Sequence, residues 1–313
     1  MSVFHSDLTM GRFLPPIDIG PRLAGLANRM PVRSPTPPAD LVVSDRKVPG
    51  PQGAPTVGVR IYRPRSAEGD IPVLVWMHGG GMILGNHLSE EASNAAFARE
   101  LGIMVISVDY RLAPQSPAPA AVEDCYAVLE WLVANAGELA IDPQRIAIGG
   151  ASAGGGLAAA TALLAHDRGR ITPAFQMLIY PMLDDRTVIR TDLDTRHARF
   201  WRPKSNRYPW SAYLGQAPGG DDVSDYAAPA RRADLSGLPP AWIGVGTLDL
   251  FHSEDIDYAD RLRQAGVSVE LVIVEGAFHG FDVLFSKKPV SRGFWEAQRD
   301  ALRHALVVTA TER

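Results

Sequence analysis

The feature that most constrains this chain is Arg145-Ile-Ala-Ile-Gly-Gly-Ala-Ser-Ala-Gly-Gly-Gly156, which runs on into Leu157-Ala-Ala-Ala-Thr-Ala-Leu-Leu164. Residues 145–149 form a short apolar run and suit a buried strand. Gly150-Ala-Ser-Ala-Gly154 is a Gly-x-Ser-x-Gly turn, and the Ala/Leu-rich stretch after it suits a buried helix. Strand, tight turn and helix in that order are the context of a nucleophile elbow. A serine on so sharp a turn leaves its neighbours two positions away no room for a Cβ, and strained backbone is tolerated where glycine flanks it. Ser152 would then expose its Oγ at the positive end of a helix, with the Ala153 N–H free to donate. The pentapeptide alone is ambiguous, because Gly149 to Gly156 also suits a phosphate-cradling loop. A dinucleotide loop expects Gly-x-Gly-x-x-Gly opening an early βαβ unit, with an acidic ribose ligand about 20 residues on. This loop is mid-chain and lacks that glycine spacing.

Composition narrows the classes. The 313 residues allow one large α/β domain or two small ones, and 46% hydrophobic with 21% charged content supports a substantial core. A net charge of −4 offers no basic excess for phosphates, so nucleic acid is not an expected partner. Cys125 is the lone cysteine, lies in an apolar helical pattern and reads as a packing residue. An internal disulfide is impossible, which fits a reducing compartment. Residues 1–30 hold no continuous apolar h-region, and no stretch reaches the roughly 18 apolar residues of a membrane span. The expectation is a cytoplasmic protein without a membrane partner. No His/Cys/Asp cluster has metal-ligand spacing, so neither a metal nor a cofactor is expected.

Along the chain, strands are predicted at 42–48, 57–64, 71–77, 103–108, 145–149, 175–180, 240–247 and 267–274. Helices are predicted at 18–30, 90–100, 118–135, 255–264 and 293–308. Alternation of strands and helices implies parallel βαβ units. Residues 184–236 turn polar, with Phe200, Trp201, Tyr208, Trp210 and Tyr213 as aromatic punctuation, and read as an inserted helical segment.

A serine nucleophile needs a base, a carboxylate that holds the base in one tautomer, and donors for a developing oxyanion. Open α/β sheets build such sites at strand ends. His279, in Glu275-Gly-Ala-Phe-His-Gly-Phe281 directly after the last strand, is the candidate base. His87 and His252 lie near suitable loops without a flanking glycine turn, and His5, His166, His197 and His304 sit in tails or helices. Asp249, in Gly246-Thr-Leu-Asp-Leu-Phe251, is the candidate acid. Glu254, Asp255 and Asp257 fall at a helix start, where acidic residues ordinarily favour the dipole. His78-Gly-Gly-Gly81, after the 71–77 strand, is the candidate oxyanion loop.

His78-Gly-Gly-Gly81, Asp109-Tyr-Arg-Leu-Ala-Pro114, Gly150-Ala-Ser-Ala-Gly-Gly155, Gly246-Thr-Leu-Asp249 and His279-Gly-Phe281 occur in this order. Together they resemble the hormone-sensitive-lipase family (family IV) of bacterial carboxylesterases. The resemblance runs from about residue 55 to the end and is weaker over the first 45 residues and over 185–235. It implies an α/β-hydrolase fold: a mostly parallel central sheet flanked by helices, with a helical cap. The cap would be discontinuous, residues 1–45 and 185–235, on a catalytic core of 46–184 and 236–313. The resemblance implies Ser152 as nucleophile, Asp249 and His279 as its partners, and Gly80, Gly81 and Ala153 as oxyanion donors. His78 and Gly79 would support the loop. Trp201, Trp210 and Tyr213 are candidates for a substrate channel, although aromatic stripes also serve as core. Two positions depart from the family pattern. Ala151 stands where Asp or Thr is common, losing a hydrogen bond behind the nucleophile, and Gln115 stands where Glu is common. A locally different support network is expected.

The activity this implies is hydrolysis of short- to medium-chain carboxylic esters through an acyl-enzyme, on a small-molecule substrate. Amide or lactone hydrolysis on the same triad and a non-catalytic binding role remain as alternatives, the latter weakened because Ser152, Asp249 and His279 are all present. The last predicted strand reads as an exposed edge on which a homodimer could pair.

Overall fold

Runs of β-branched and other apolar residues set the frame. In the computed structural model, which describes residues 3–15, 18–30 and 36–307, eight strands form one sheet. They are β1 (Leu41–Val48), β2 (Val57–Pro64), β3 (Ile71–Met77), β4 (Met104–Asp109), β5 (Ile141–Ala151), β6 (Phe175–Ile179), β7 (Ala241–Gly246) and β8 (Val269–Val274). Their order is β1-β2-β4-β3-β5-β6-β7-β8. The β1–β2 and β2–β4 pairs are antiparallel, and every pair from β4–β3 onward is parallel. β3 and β6 are buried at every position, as strands covered on both faces must be. β1 and β8 are the edges and are much less buried.

The helices are α1 (Pro21–Ala27), α2 (Glu91–Leu101), α3 (Ala120–Ala134), α4 (Ala136–Leu139), α5 (Ala153–Arg168), α6 (Pro203–Leu214), α7 (His252–Gln264), α8 (Phe281–Leu284) and α9 (Pro289–Leu306). The pleat sends successive side chains of β3 to opposite layers. Val73, Val75 and Met77 join α3, α5 and α7 in one core, whereas Leu74 and Trp76 join α2 and α9 in the other. α5 is buried from Ala153 through Ala165, which explains why it carries almost no polar face. Its one hydroxyl there, on Thr161, donates back to the Leu157 carbonyl at 2.7 Å.

Several elements differ from the sequence expectation. β5 extends to Ile141–Ala151 because β3 and β6 flank it, supplying partners beyond the apolar 145–149 run. α7 begins at His252, and the closing helix at Pro289, whose missing N–H costs nothing in a first turn. The predicted end of that helix at Val308 lies outside the described residues. Between 184 and 236 the only α-helix among the described residues is α6, with 3-10 turns at Asp185–Val188 and Pro229–Arg231. The Ala-Pro-Gly-Gly stretch after α6 cannot propagate a helix, and ion pairs such as Arg231–Asp185 at 2.6 Å hold the loop instead. In the leading segment, Ser6–Phe13 is a 3-10 helix and residues 41–45 already belong to β1. Residues 1–2, 16–17 and 31–35 of that segment lie outside the described residues.

The Asp109-Tyr-Arg-Leu-Ala-Pro loop is tied to α3 by a partly buried pair. Asp124, 1% exposed, accepts from the Arg111 backbone N–H at 3.0 Å and from its Nη2 at 2.7 Å. Asp124→Ala leaves the Arg111 amide without its acceptor and the partly exposed guanidinium with only the Ala120 carbonyl, and is expected to destabilise the fold by about 1–2 kcal/mol in urea titration. Asp40→Ala, which removes only an exposed pair with Arg99, is expected to leave the midpoint unchanged.

Candidate active site

Ser152 stands alone between the end of β5 and the start of α5, at φ 56° and ψ −118°. A non-glycine residue there costs on the order of 1–3 kcal/mol and persists only when its surroundings over-determine it. They do so here. The Ser152 N–H donates to the Ile179 carbonyl at 2.9 Å, and its carbonyl accepts from Met182 at 2.9 Å and from Gly156 at 3.0 Å. A Cβ on Gly150 would stand 2.4 Å from the Met77 carbonyl oxygen, and one on Gly154 only 1.9 Å from it. The two glycines therefore let β3 approach the turn, for the steric reason expected from the sequence.

The loops after β7 and β8 bring two further residues to this point. His279 Nε2 is 3.0 Å from Ser152 Oγ, and its Nδ1 is 2.8 Å from Asp249 Oδ2. A carboxylate only accepts, so Nδ1 carries the proton and the Nε2 lone pair faces the serine hydroxyl. The other Asp249 oxygen accepts from the Phe251 N–H at 3.0 Å. The loops lie so close that a Cβ on Gly246 would meet the Ala277 carbonyl at 2.2 Å. Ser152 is 7% and His279 3% exposed, with Tyr180 and Phe251 edge-on to the imidazole at 4.7 and 5.2 Å. None of the three rival acids at the helix start hydrogen-bonds His279 among the described residues. Glu254 accepts from the Leu183 and Asp184 amides, and Asp255 is buried with no partner on either oxygen among the described residues. His87 faces Asp109 at 3.3 Å instead.

The His78-Gly-Gly-Gly81 loop leaves β3 beside Ser152, and a Cβ on Gly79 would be 3.7 Å from the serine Cβ. Both of its first peptide groups are pinned. The His78 carbonyl accepts from Tyr110 Oη at 2.7 Å, and the Gly79 N–H donates to Glu90 Oε1 at 2.9 Å. The Gly79 carbonyl receives the His78 Nδ1–H at 2.7 Å. A trans peptide points its N–H opposite its C=O, so fixing the Gly79 carbonyl aims the Gly80 N–H the other way. Gly80 and Gly81 adopt φ of 126° and 63°. The N–H groups of Gly80, Gly81 and Ala153 have no protein acceptor among the described residues. The His78 ring is stacked on Tyr110 at 4.2 Å, and burial pulls its pKa down to about 4.

The candidate channel residues separate. Trp201 lies over the site, its ring 6.2 Å from His279, and a Cβ on Gly81 would meet its Cη2 at 2.6 Å. Trp210 and Tyr213 are fully buried against each other, with no ring contact to His279 among the described residues. Phe200, half-exposed, stacks on His279 at 6.5 Å. Gln115 is exposed, and Ala151 is buried with only a methyl beside Ser152. The sequence reading missed Glu90, Tyr110, Tyr180 and Asp282. Glu90 is the N-cap residue of α2, where an acid reads as ordinary helix chemistry. Its second oxygen accepts from Trp76 Nε1, and burial with help from Asp282 pushes its pKa up to about 7. Asp282 accepts from Tyr180 Oη at 2.9 Å. Among the described residues no His/Cys/Asp/Glu group is placed to hold a metal ion, and no helix is long and apolar enough to cross a membrane. A cavity of about 1390 Å³ lies at the opposite ends of the strands, against Pro143, Phe175 and Ala241, and touches none of these residues.

Known proteins similar to this chain are numerous. The alpha/beta hydrolase fold family matches residues 74–283. Carboxylesterase NlhH of Mycobacterium tuberculosis is 39% identical over 255 residues, covering 79% of this chain and 78% of that protein. Carboxylic ester hydrolase LipN of the same organism is 37% identical over 269 residues, covering 80% and 67%. Among solved structures, a bacterial heroin esterase superposes with a TM-score of 0.87 at 39% identity, covering 97% of this chain and 98% of that one.

Burial of neutral His78 has a pH signature. Its folded pKa lies below the unfolded 6.5, so its contribution is present above pH 6.5 and is lost as pH falls through about 4. The difference corresponds to about 3 kcal/mol at the acid end. Unfolding free energies measured from pH 7 to 4 are expected to fall less steeply in His78→Gln than in the wild type.

Proposed function

Because this chain belongs to the α/β-hydrolase family, in its hormone-sensitive-lipase branch, and is a carboxylic ester hydrolase, we propose that Ser152, His279 and Asp249 carry its reaction. The observation that supports this most is the continuous run from Ser152 Oγ through His279 to Asp249, at 3.0 and 2.8 Å. Ser152 Oγ attacks the ester carbonyl carbon while its proton passes to His279 Nε2. The carbonyl oxygen becomes an oxyanion within reach of the Gly80, Gly81 and Ala153 amides, the last at the positive start of α5. Collapse of this intermediate breaks the bond to the alcohol oxygen, which leaves with the proton from Nε2. Water then repeats the sequence on the acyl-enzyme, giving its proton to His279 and releasing the acid and the free serine. Asp249 keeps Nδ1 protonated throughout, so that Nε2 faces the serine as a base.

The same reading assigns 185–235 and the segment before β1 to a cap over the core; the expected boundary at 45 moves to 40 because 41–45 pair with β2 in the sheet. Two ion pairs in its favour join the segments: Asp18 with Arg202 at 2.7 Å and with Lys204 at 2.9 Å. Phe200 and Trp201 of the second segment roof the imidazole, which favours short and medium acyl groups. Trp210 and Tyr213 then support the cap from inside rather than line the channel. The half-exposed Ile273 on edge strand β8 suits pairing with a second copy. The buried free thiol of Cys125 and the net charge of −4 fit a cytoplasmic enzyme that does not bind nucleic acid.

Ser152→Ala is expected to lower kcat on p-nitrophenyl butyrate by about 10⁴-fold or more. A variant retaining a tenth of wild-type turnover would refute the triad. Across p-nitrophenyl esters, kcat/KM is expected to peak at or below medium chain length, and a maximum at palmitate overturns the substrate reading.

A further inference from the structure

Ala151 puts only a methyl beside Ser152, yet the neighbouring loop must hold two amides in place through a reaction. The geometry points to Glu90 as the residue that positions this loop: we infer that its carboxylate, by gripping the Gly79 N–H and the Trp76 indole at once, sets the aim of the Gly80 and Gly81 amides. This rests on the proposed roles of Ser152, Gly80 and Gly81.

The observations are independent of any substrate. Gly79 N–H donates to Glu90 Oε1 at 2.9 Å, while Trp76 Nε1–H donates to Oε2. Trp76 is 1% exposed in β3, the strand from which the loop departs. Glu90 therefore ties the root of the loop to the strand on which it pivots. The site of this tie is close to the chemistry, since a Cβ on Gly79 would lie 3.2 Å from the Ala151 carbonyl oxygen and 3.4 Å from Glu90 Oε1. His78 and Tyr110 hold the two neighbouring carbonyls, so Glu90 supplies the one restraint on an N–H among these pinned groups.

The arrangement calls for a carboxylate. Two donors arrive on two different oxygens, and an ionised carboxylate is acceptor-only. Glutamine has one carbonyl oxygen, and its NH₂ would meet an N–H head on. Burial and Asp282 push the Glu90 pKa up to about 7, and the hydrogen bonds from the Gly79 N–H and the Trp76 indole oppose that rise by favouring the ionised form. Glu90 touches no reacting atom and acts through Gly79, which makes it a positioning residue.

The test compares wild type, Glu90→Gln and Ser152→Ala with p-nitrophenyl butyrate and with a trifluoromethyl ketone, which forms a tetrahedral adduct on a serine. Losing one oxyanion donor outright costs about 10²–10³ in kcat, and a misaimed pair should cost less. For Glu90→Gln the expected result is a kcat lower by about 10–100-fold with KM within about twofold of wild type. The ketone should bind more weakly by the same factor as kcat/KM, because both report the tetrahedral state. A kcat within about threefold of wild type, or a loss confined to KM with unchanged ketone affinity, overturns the inference. If Glu90→Gln does not fold, Trp76→Phe reads the same clamp by freeing one oxygen. A drop of about 3–10-fold in both kcat/KM and ketone affinity supports it, and no change in either overturns it. Full activity in Ser152→Ala would instead remove the proposed function itself, a failure visible without reference to Glu90.

Discussion

The backbone of Ser152, held at a positive φ between a strand and a helix, is the constraint on which the rest of this structure depends. Such a turn exists only if its neighbours allow it. Glycines at 150 and 154 admit the Met77 carbonyl of β3, and Gly156 admits the Met182 carbonyl, which a Cβ would approach to 2.1 Å. With those approaches made, α5 runs buried under the sheet and its Ala-rich composition follows. The strain is local, and the packing of two cores on either side of the sheet over-determines it.

Polar groups around this turn divide into those fixed by geometry and those disturbed by burial. His279 and Asp249 satisfy each other and the Phe251 amide. Farther out, Glu90, Glu254, Asp255 and Asp282 are carboxyl groups whose burial favours the neutral form. Aromatic rings close over the imidazole from four sides, from Tyr180, Phe200, Trp201 and Phe251. A drier surrounding strengthens oriented dipoles on a developing charge, and it also penalises every carboxylate nearby. Placing acceptors such as Glu90 and Asp282 opposite donors limits that penalty.

The segment from 184 to 236 illustrates a different balance. Among the described residues it has one α-helix, and arginine–aspartate pairs and Trp201 wedged at Gly81 tie it down. The partly exposed Arg202–Asp18 pair contributes little by itself, whereas Arg231–Asp185 is largely buried. Trp201 against the glycine loop and the Arg231–Asp185 pair both locate this segment.

Residues that act through local chemistry were legible in the sequence. Continuous apolar runs marked the central strands, because a strand buried on both faces must be apolar throughout, whereas β1, β2 and β8 carry an edge or alternating pattern. The elbow, the glycine loop and the order Ser152, Asp249, His279 were readable because each sits on a glycine-flanked turn at a strand end, a pattern with a steric cause. Tertiary structure decided what depends on approach between distant segments. It lengthened β5 through its two neighbours, set Trp201 over the site while burying Trp210 and Tyr213, and turned Glu90 from a helix-start acid into a partner of Gly79. No periodicity records such contacts. They arise from where the pleat and the parallel crossovers happen to bring a side chain, and a hydrogen bond is formed only when that approach comes within about 3 Å.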